Sequence, residues 1–80
     1  MNDSAIHQHI EALVAEEHRL YEQSDDRPLT PDERKRLEEL QVQLDRYYDL
    51  LRQRRAKREF GQDPDAAKMR SGDTVESYLE

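Results

Sequence analysis

The sequence predicts an all-α protein: an antiparallel, coiled-coil-like two-helix hairpin with a short C-terminal helical turn or tail. Three observations carry that prediction. Apolar residues recur at 3-4 spacing in two separate segments, the periodicity of a helix with one buried face. A strong helix-start motif stands between them. Two glycines, three prolines and no tryptophan in 80 residues leave little material for strands or long loops.

The first segment carries Ile6, Ile10, Leu13 and Leu20 on one stripe, with Glu17 in the remaining apolar slot. It predicts a helix over about 4–23, with Asp3 or Ser4 supplying the side-chain oxygen that caps the first free amides. The helix is expected to fade near the run Gln23-Ser24-Asp25-Asp26.

The second segment opens on Leu29-Thr30-Pro31-Asp32-Glu33. Thr30 is placed to accept from the amide of Glu33 while Glu33 reaches back to that of Thr30, and proline suits the first helical position. Asp32 adds negative charge at the positive end of the helix dipole. Leu37, Leu40, Leu44, Tyr47 and Leu51 then hold a 3-4-3-4 spacing through a helix over about 31–60, with Gly61 as its C-terminal stop.

The two stripes fit one another. Paired antiparallel, Leu20 meets Leu37, Leu13 meets Leu44, Ile10 meets Tyr47 and Ile6 meets Leu51, so that every pair of residue numbers sums to 57. Glu17 falls opposite Leu40 in the same register. A single register joining all the apolar positions is what a hairpin over 1–61 requires. Residues 62–80 form an acidic appendage in which Asp63-Pro64-Asp65 starts a short helical turn. Val75, Tyr78 and Leu79 make a small apolar cluster there.

Composition argues that the hairpin does not stand alone. Only 34% of residues are hydrophobic against 40% charged, and a chain of this size buries a poor fraction of its surface without a staple or a partner. Cysteine is absent, which excludes disulfides and thiolate metal sites. Val14 and Tyr21 flank the first stripe, Tyr48 lies on the matching side of the second helix, and Leu50 lies on the opposite side. These four form a patch that a second copy would cover, giving a homodimeric four-helix bundle. The alternative is coverage by the chain's own tail.

Charge is partitioned. Residues 1–33 carry net −7, residues 34–60 net +4 and residues 61–80 net −3, within a total of −6. Arg52, Arg54, Arg55, Lys57 and Arg58 form a candidate face for an anionic partner, either nucleic acid or an acidic protein. No aromatic residue is interleaved as a stacking platform, the overall field repels polyanions, and arginines near a helix C-terminus are favoured without any ligand. Arg54 falls opposite Asp3 in the hairpin register. The principal expectation is therefore charge pairing within the chain or between copies, with the acidic tail after Gly61 or the acidic first helix of another copy.

Other chemistry is not signalled. His7 and His9 diverge by about 200° on a helix and cannot share one ion, while His7, Glu11 and His18 read as a solvated face. No metal or other cofactor is expected. No nucleophile–base pair or glycine-rich phosphate loop is visible, so catalysis is not expected. Residues 1–10 have neither the basic start nor the apolar core of a signal peptide, and no window approaches a membrane span; a cytoplasmic protein is expected.

The runs Leu13–Glu22 and Leu40–Arg70 and the tail Val75–Glu80 make the chain resemble the small actinobacterial proteins grouped as domain of unknown function 2630. Leu44–Arg55 and the later Asp63-Pro64-Asp65 are the most specific part. The resemblance implies a bacterial cytoplasmic protein and carries no activity with it. The functional expectation is a non-enzymatic interaction or structural module that self-associates. The alternative is a nucleic-acid-associated regulator using the basic segment 52–58.

Overall fold

The structure, a computed structural model, describes the backbone of residues 1–79 and the side chains of residues 1–75. Helix α1 spans Asp3–Asp26, α2 spans Pro31–Glu59, a single 3-10 turn spans Pro64–Ala66, and α3 spans Gly72–Leu79. No strand occurs among the described residues. The apolar cluster expected at Tyr78 and Leu79 lies outside the described side chains.

Helix α1 starts earlier and ends later than its periodicity suggests. The cap is Asn2, not Asp3 or Ser4: its Oδ1 accepts from the amide of Ala5 at 2.8 Å. Asparagine is as good a cap as aspartate, and this choice leaves Asp3 free for the hairpin's open end. At the other end Arg27 is extended (φ −159°, ψ 158°) because it precedes Pro28, whose ring disfavours the helical region for its neighbour. Pro28, rather than the polar run before it, stops the helix. The connection shrinks to residues 27–30. Arg27 clamps it, donating to both carboxylate oxygens of Glu33 at 2.7 and 2.8 Å.

The start of α2 is as the sequence predicts. Thr30 Oγ1 accepts from Glu33 N at 3.1 Å, and Thr30 N donates to Glu33 Oε1 at 2.9 Å. At the far end Gly61 adopts φ +69°, a conformation that costs residues with a Cβ but not glycine. The amide of Gly61 donates to Arg58 O and that of Gln62 to Lys57 O. These two bonds satisfy the last helical carbonyls in a Schellman arrangement.

Packing follows the expected register at the centre of the seam. Ile6, Ile10, Leu20, Leu40 and Leu44 are buried, whereas Leu13, Leu37, Tyr47 and Leu51 are only half-buried. The radius of gyration is 15.0 Å and the longest extent 50 Å, against about 12 Å for a compact chain of this length. Two helices side by side cannot close over their own seam.

The chain reverses after Gly61 and returns as a strap along α2. Arg54 Nη1 donates to Pro64 O at 3.1 Å, Gln53 Nε2 to Lys68 O at 2.9 Å, and Arg46 Nε to Arg70 O at 2.9 Å. At Gly72 the approach is so close that a Cβ would stand 2.7 Å from Val42 Cγ1. Ser71 Oγ then accepts from the amide of Thr74 and caps α3. Ala67 and Met69 pack on the cluster formed by Ile6, Ile10, Leu44 and Leu50. Leu50, predicted to await a second copy, is therefore 5% exposed within one chain. The tail reaches it because Gly61 lets the backbone turn directly back along the flank that Leu50 occupies.

Candidate functional site

Cross-helix contacts assign the two flanks of the hairpin. His9 stacks on Tyr47, with ring centroids 5.2 Å apart, and Arg36 pairs with Glu16 on one side of the seam. Gln41 Nε2 donates to Tyr21 Oη at 3.2 Å on the other. At 100° per residue, Leu50 belongs to the first side, and Val14, Tyr21 and Tyr48 to the second. The strap covers the first. On the second, Tyr21 and Tyr48 remain 43% and 42% exposed, with Val14 half-buried beside them. Three of the four residues predicted to meet a partner thus still share one uncovered flank.

The basic run resolves into separate environments. Arg54 is buried and sits at the junction of all three parts of the fold. Its Nε donates to Asp3 Oδ1 at 2.6 Å, and its Nη1 donates to Asp65 Oδ1 at 2.9 Å as well as to Pro64 O. A guanidinium suits this place because its planar fork offers donors in several directions at once. Arg58 adds an ion pair to Asp3 at 3.0 Å. These partners hold the Asp3 carboxyl below its ordinary range, the hydrogen bond from Arg54 contributing most and that from Arg58 next.

Arg55 pairs with Glu59 one turn on at 3.2 Å. Arg52 and Lys57 make no ion pair among the described residues, and at 100° per residue they point about 140° apart. Lys57 instead borders a shallow groove with Gln53, Phe60, Gln62 and Arg70. The five cations expected to form one anionic-partner face are therefore divided. The hairpin register brings Arg54 to Asp3, and the tail supplies the second carboxylate.

Two further ionic contacts set the helices against each other. Glu16 is held below its ordinary range, chiefly by the hydrogen bond from Arg36; Arg36 Nη2 donates to Glu16 Oε1 at 2.9 Å. Glu33, held first by Arg27 and then by the Thr30 amide, is lowered to about 2. Glu17, the acid in the core stripe, forms no ion pair among the described residues; Arg36 pairs with its neighbour Glu16.

A buried carboxylate escaped the sequence reading. Asp49 is 4% exposed, accepting from Gln53 Nε2 at 2.9 Å and lying 3.6 Å from Arg70 Nε. No buried side-chain nitrogen or oxygen among the described residues lacks a hydrogen-bond partner. The available signal was a second 3-4 spacing on α2, through Val42, Arg46, Asp49 and Gln53. Its mixed polarity hid it, since it grips backbone carbonyls rather than an apolar surface. Among the described residues no group of three histidines or acids could hold a metal ion, and no helix is long and apolar enough to cross a membrane.

Residues 2–80 match the family described as Protein of unknown function (DUF2630). The chain belongs to this family. Its relatives include uncharacterized proteins of Mycobacterium bovis and of the CDC 1551 and H37Rv strains of Mycobacterium tuberculosis. Each is 43% identical over 77 residues, covering 95% of this chain and 88% of the relative. No solved structure matches the chain. For this DUF2630 protein the candidate site is thus a surface: the flank of Val14, Tyr21 and Tyr48, facing away from the strap.

Proposed function

We propose that the chain is a non-enzymatic helical interaction module of the bacterial cytoplasm that self-associates into a four-helix bundle. The observation that carries this reading is the asymmetry of the flanks. The strap buries Leu50, whereas the opposite flank keeps two tyrosines more than two-fifths exposed next to half-buried Val14, Leu37 and Leu51. Aromatic side chains of this kind provide large contact areas with few rotors to order. A second copy stacked on this flank also closes the half-open seam. Sedimentation over micromolar concentrations tests the reading. The expected result is a dimer that Tyr21→Glu and Tyr48→Glu weaken, and a monomer throughout the range overturns it.

A second reading, a nucleic-acid-associated regulator, draws support from Arg52 and Lys57, which have no ion pair among the described residues. The burial of Arg54 and the net charge of −6 work against it. Binding to mixed DNA and RNA at low and moderate salt separates the two, since phosphate contacts weaken steeply with salt.

A further inference from the structure

We infer that the two copies pack with α1 of one chain against α2 of the other, about a two-fold axis parallel to the helices, so that Asp25 of each chain meets Arg34 of its partner. This deepens the self-association reading and rests on it. Two hairpins stacked through one flank can be related by an axis along the helices or by an axis across them. The first lays α1 on the partner's α2. The second lays α1 on its own copy.

Charge decides between them. Helix α1 carries seven acids and one arginine, while α2 carries seven acids and nine bases. An axis across the helices stacks a net −6 element on another −6 element and a net +2 element on another +2 element. An axis along the helices pairs opposite signs on both sides of the interface. Like charges brought face to face are costly, and complementary ones fix register and orientation.

The apolar residues agree. Rotation about an axis along the helices leaves heights unchanged, so each residue on the open flank faces its own copy across the axis. Tyr48, Val14 and Tyr21 then form successive layers, with Leu37 level with Tyr21 in the hairpin register. The same constraint carries the intrachain register into the interface: α1 residues meet partner α2 residues whose numbers sum to about 57. Asp25 and Arg34 sum to 59, within about 3 Å of level at 1.5 Å per residue. Both lie on the open flank, both are exposed, and neither has an ion pair among the described residues.

Full-length Asp25→Arg and Arg34→Glu chains test the geometry by mixing. Each variant alone places like charges at both symmetric contacts and is expected to dimerise about tenfold more weakly than the wild type. Mixed together they form a heterodimer with opposite charges at both contacts, and near-wild-type affinity returns. Fluorescence transfer between differently labelled chains reads the heterodimer, and far-UV circular dichroism checks that each variant folds. A wild-type dimer whose two variants show no preference for one another overturns the α1-on-α2 geometry while leaving self-association standing. With the axis across the helices each variant alone lessens a like-charge contact, so single variants that dimerise no more weakly than the wild type would identify that axis instead. A wild-type monomer removes both readings. Rescue by mixing also excludes an Asp25–Arg34 contact within one chain, which a partner could not restore.

Discussion

Replacing Leu50 by alanine separates a core role from an interface role with a single side chain. Leu50 is 5% exposed in one chain, packed in the cluster with Ile6, Ile10 and Leu44. Truncation removes about three buried carbons, or roughly 2.4 kcal/mol at about 0.8 kcal/mol per methylene. The vacated space adds a cavity term, because the helix backbone on one side and the strap on the other relax only partly. A loss of about 2.5–4 kcal/mol is expected, corresponding to a drop in melting temperature of roughly 10–30 °C for a chain of this size. The assay is thermal and urea unfolding followed by circular dichroism at two protein concentrations, with Tyr48→Ala as comparison. Leu50→Ala should lower stability at both concentrations with little change in the dimer constant. Tyr48→Ala, starting from a half-exposed side chain, should chiefly weaken association. A Leu50→Ala loss below about 1 kcal/mol, or one that appears only through weakened dimerisation, would refute the placement of Leu50 beneath the strap.

Three more perturbations probe the strap, the helix end and the ion pairs. Arg54→Lys keeps the charge but cannot span Asp3, Asp65 and Pro64 O together; hydrogen exchange should accelerate across residues 64–71 while the centre of α2 stays protected. Unchanged exchange there would show that Arg54 does not anchor the strap. Gly61→Ala forces a Cβ into φ +69° and should cost about 1 kcal/mol, read as a lower urea midpoint with an unchanged slope. Asp3, Glu16 and Glu33 are all held below their ordinary range, Glu33 to about 2. Their stabilisation is complete above the unfolded carboxylate values near 4 and is lost as pH falls through the folded ones, because the unfolded chain then binds more protons. The unfolding midpoint should fall as pH drops from about 4.5 towards 2. Arg27→Ala should flatten that acid limb; an equally steep limb would show that the Arg27–Glu33 clamp does not contribute to it.

Both helices, the capping box, the glycine stop and the hairpin register are legible in the sequence, because each depends on local spacing or on a few neighbouring residues. The meeting of Arg54 with Asp3 is also legible, since one register constant carries it along the seam. The start of α1 is less so: Asn2, Asp3 and Ser4 are all competent caps, and tertiary contacts selected Asn2 when Asp3 was drawn to Arg54 and Arg58. The division of the basic run was half-visible. Its opposition to the first helix follows from the register, but the part played by Asp65 depends on where the tail travels.

By itself, then, the sequence determined that the chain is helical, where its two long helices begin and end to within a few residues, and which faces of the hairpin meet. Those properties arise from interactions repeating every three or four residues along one chain. The tertiary structure decided which flank the tail closes, and therefore that Leu50 is core while Val14, Tyr21 and Tyr48 stay at the surface. That choice depends on a turn at Gly61 and on Arg46, Gln53 and Arg54 gripping main-chain carbonyls. A carbonyl is the same for every residue type, so the strap's path leaves almost no mark in the sequence pattern that specifies it.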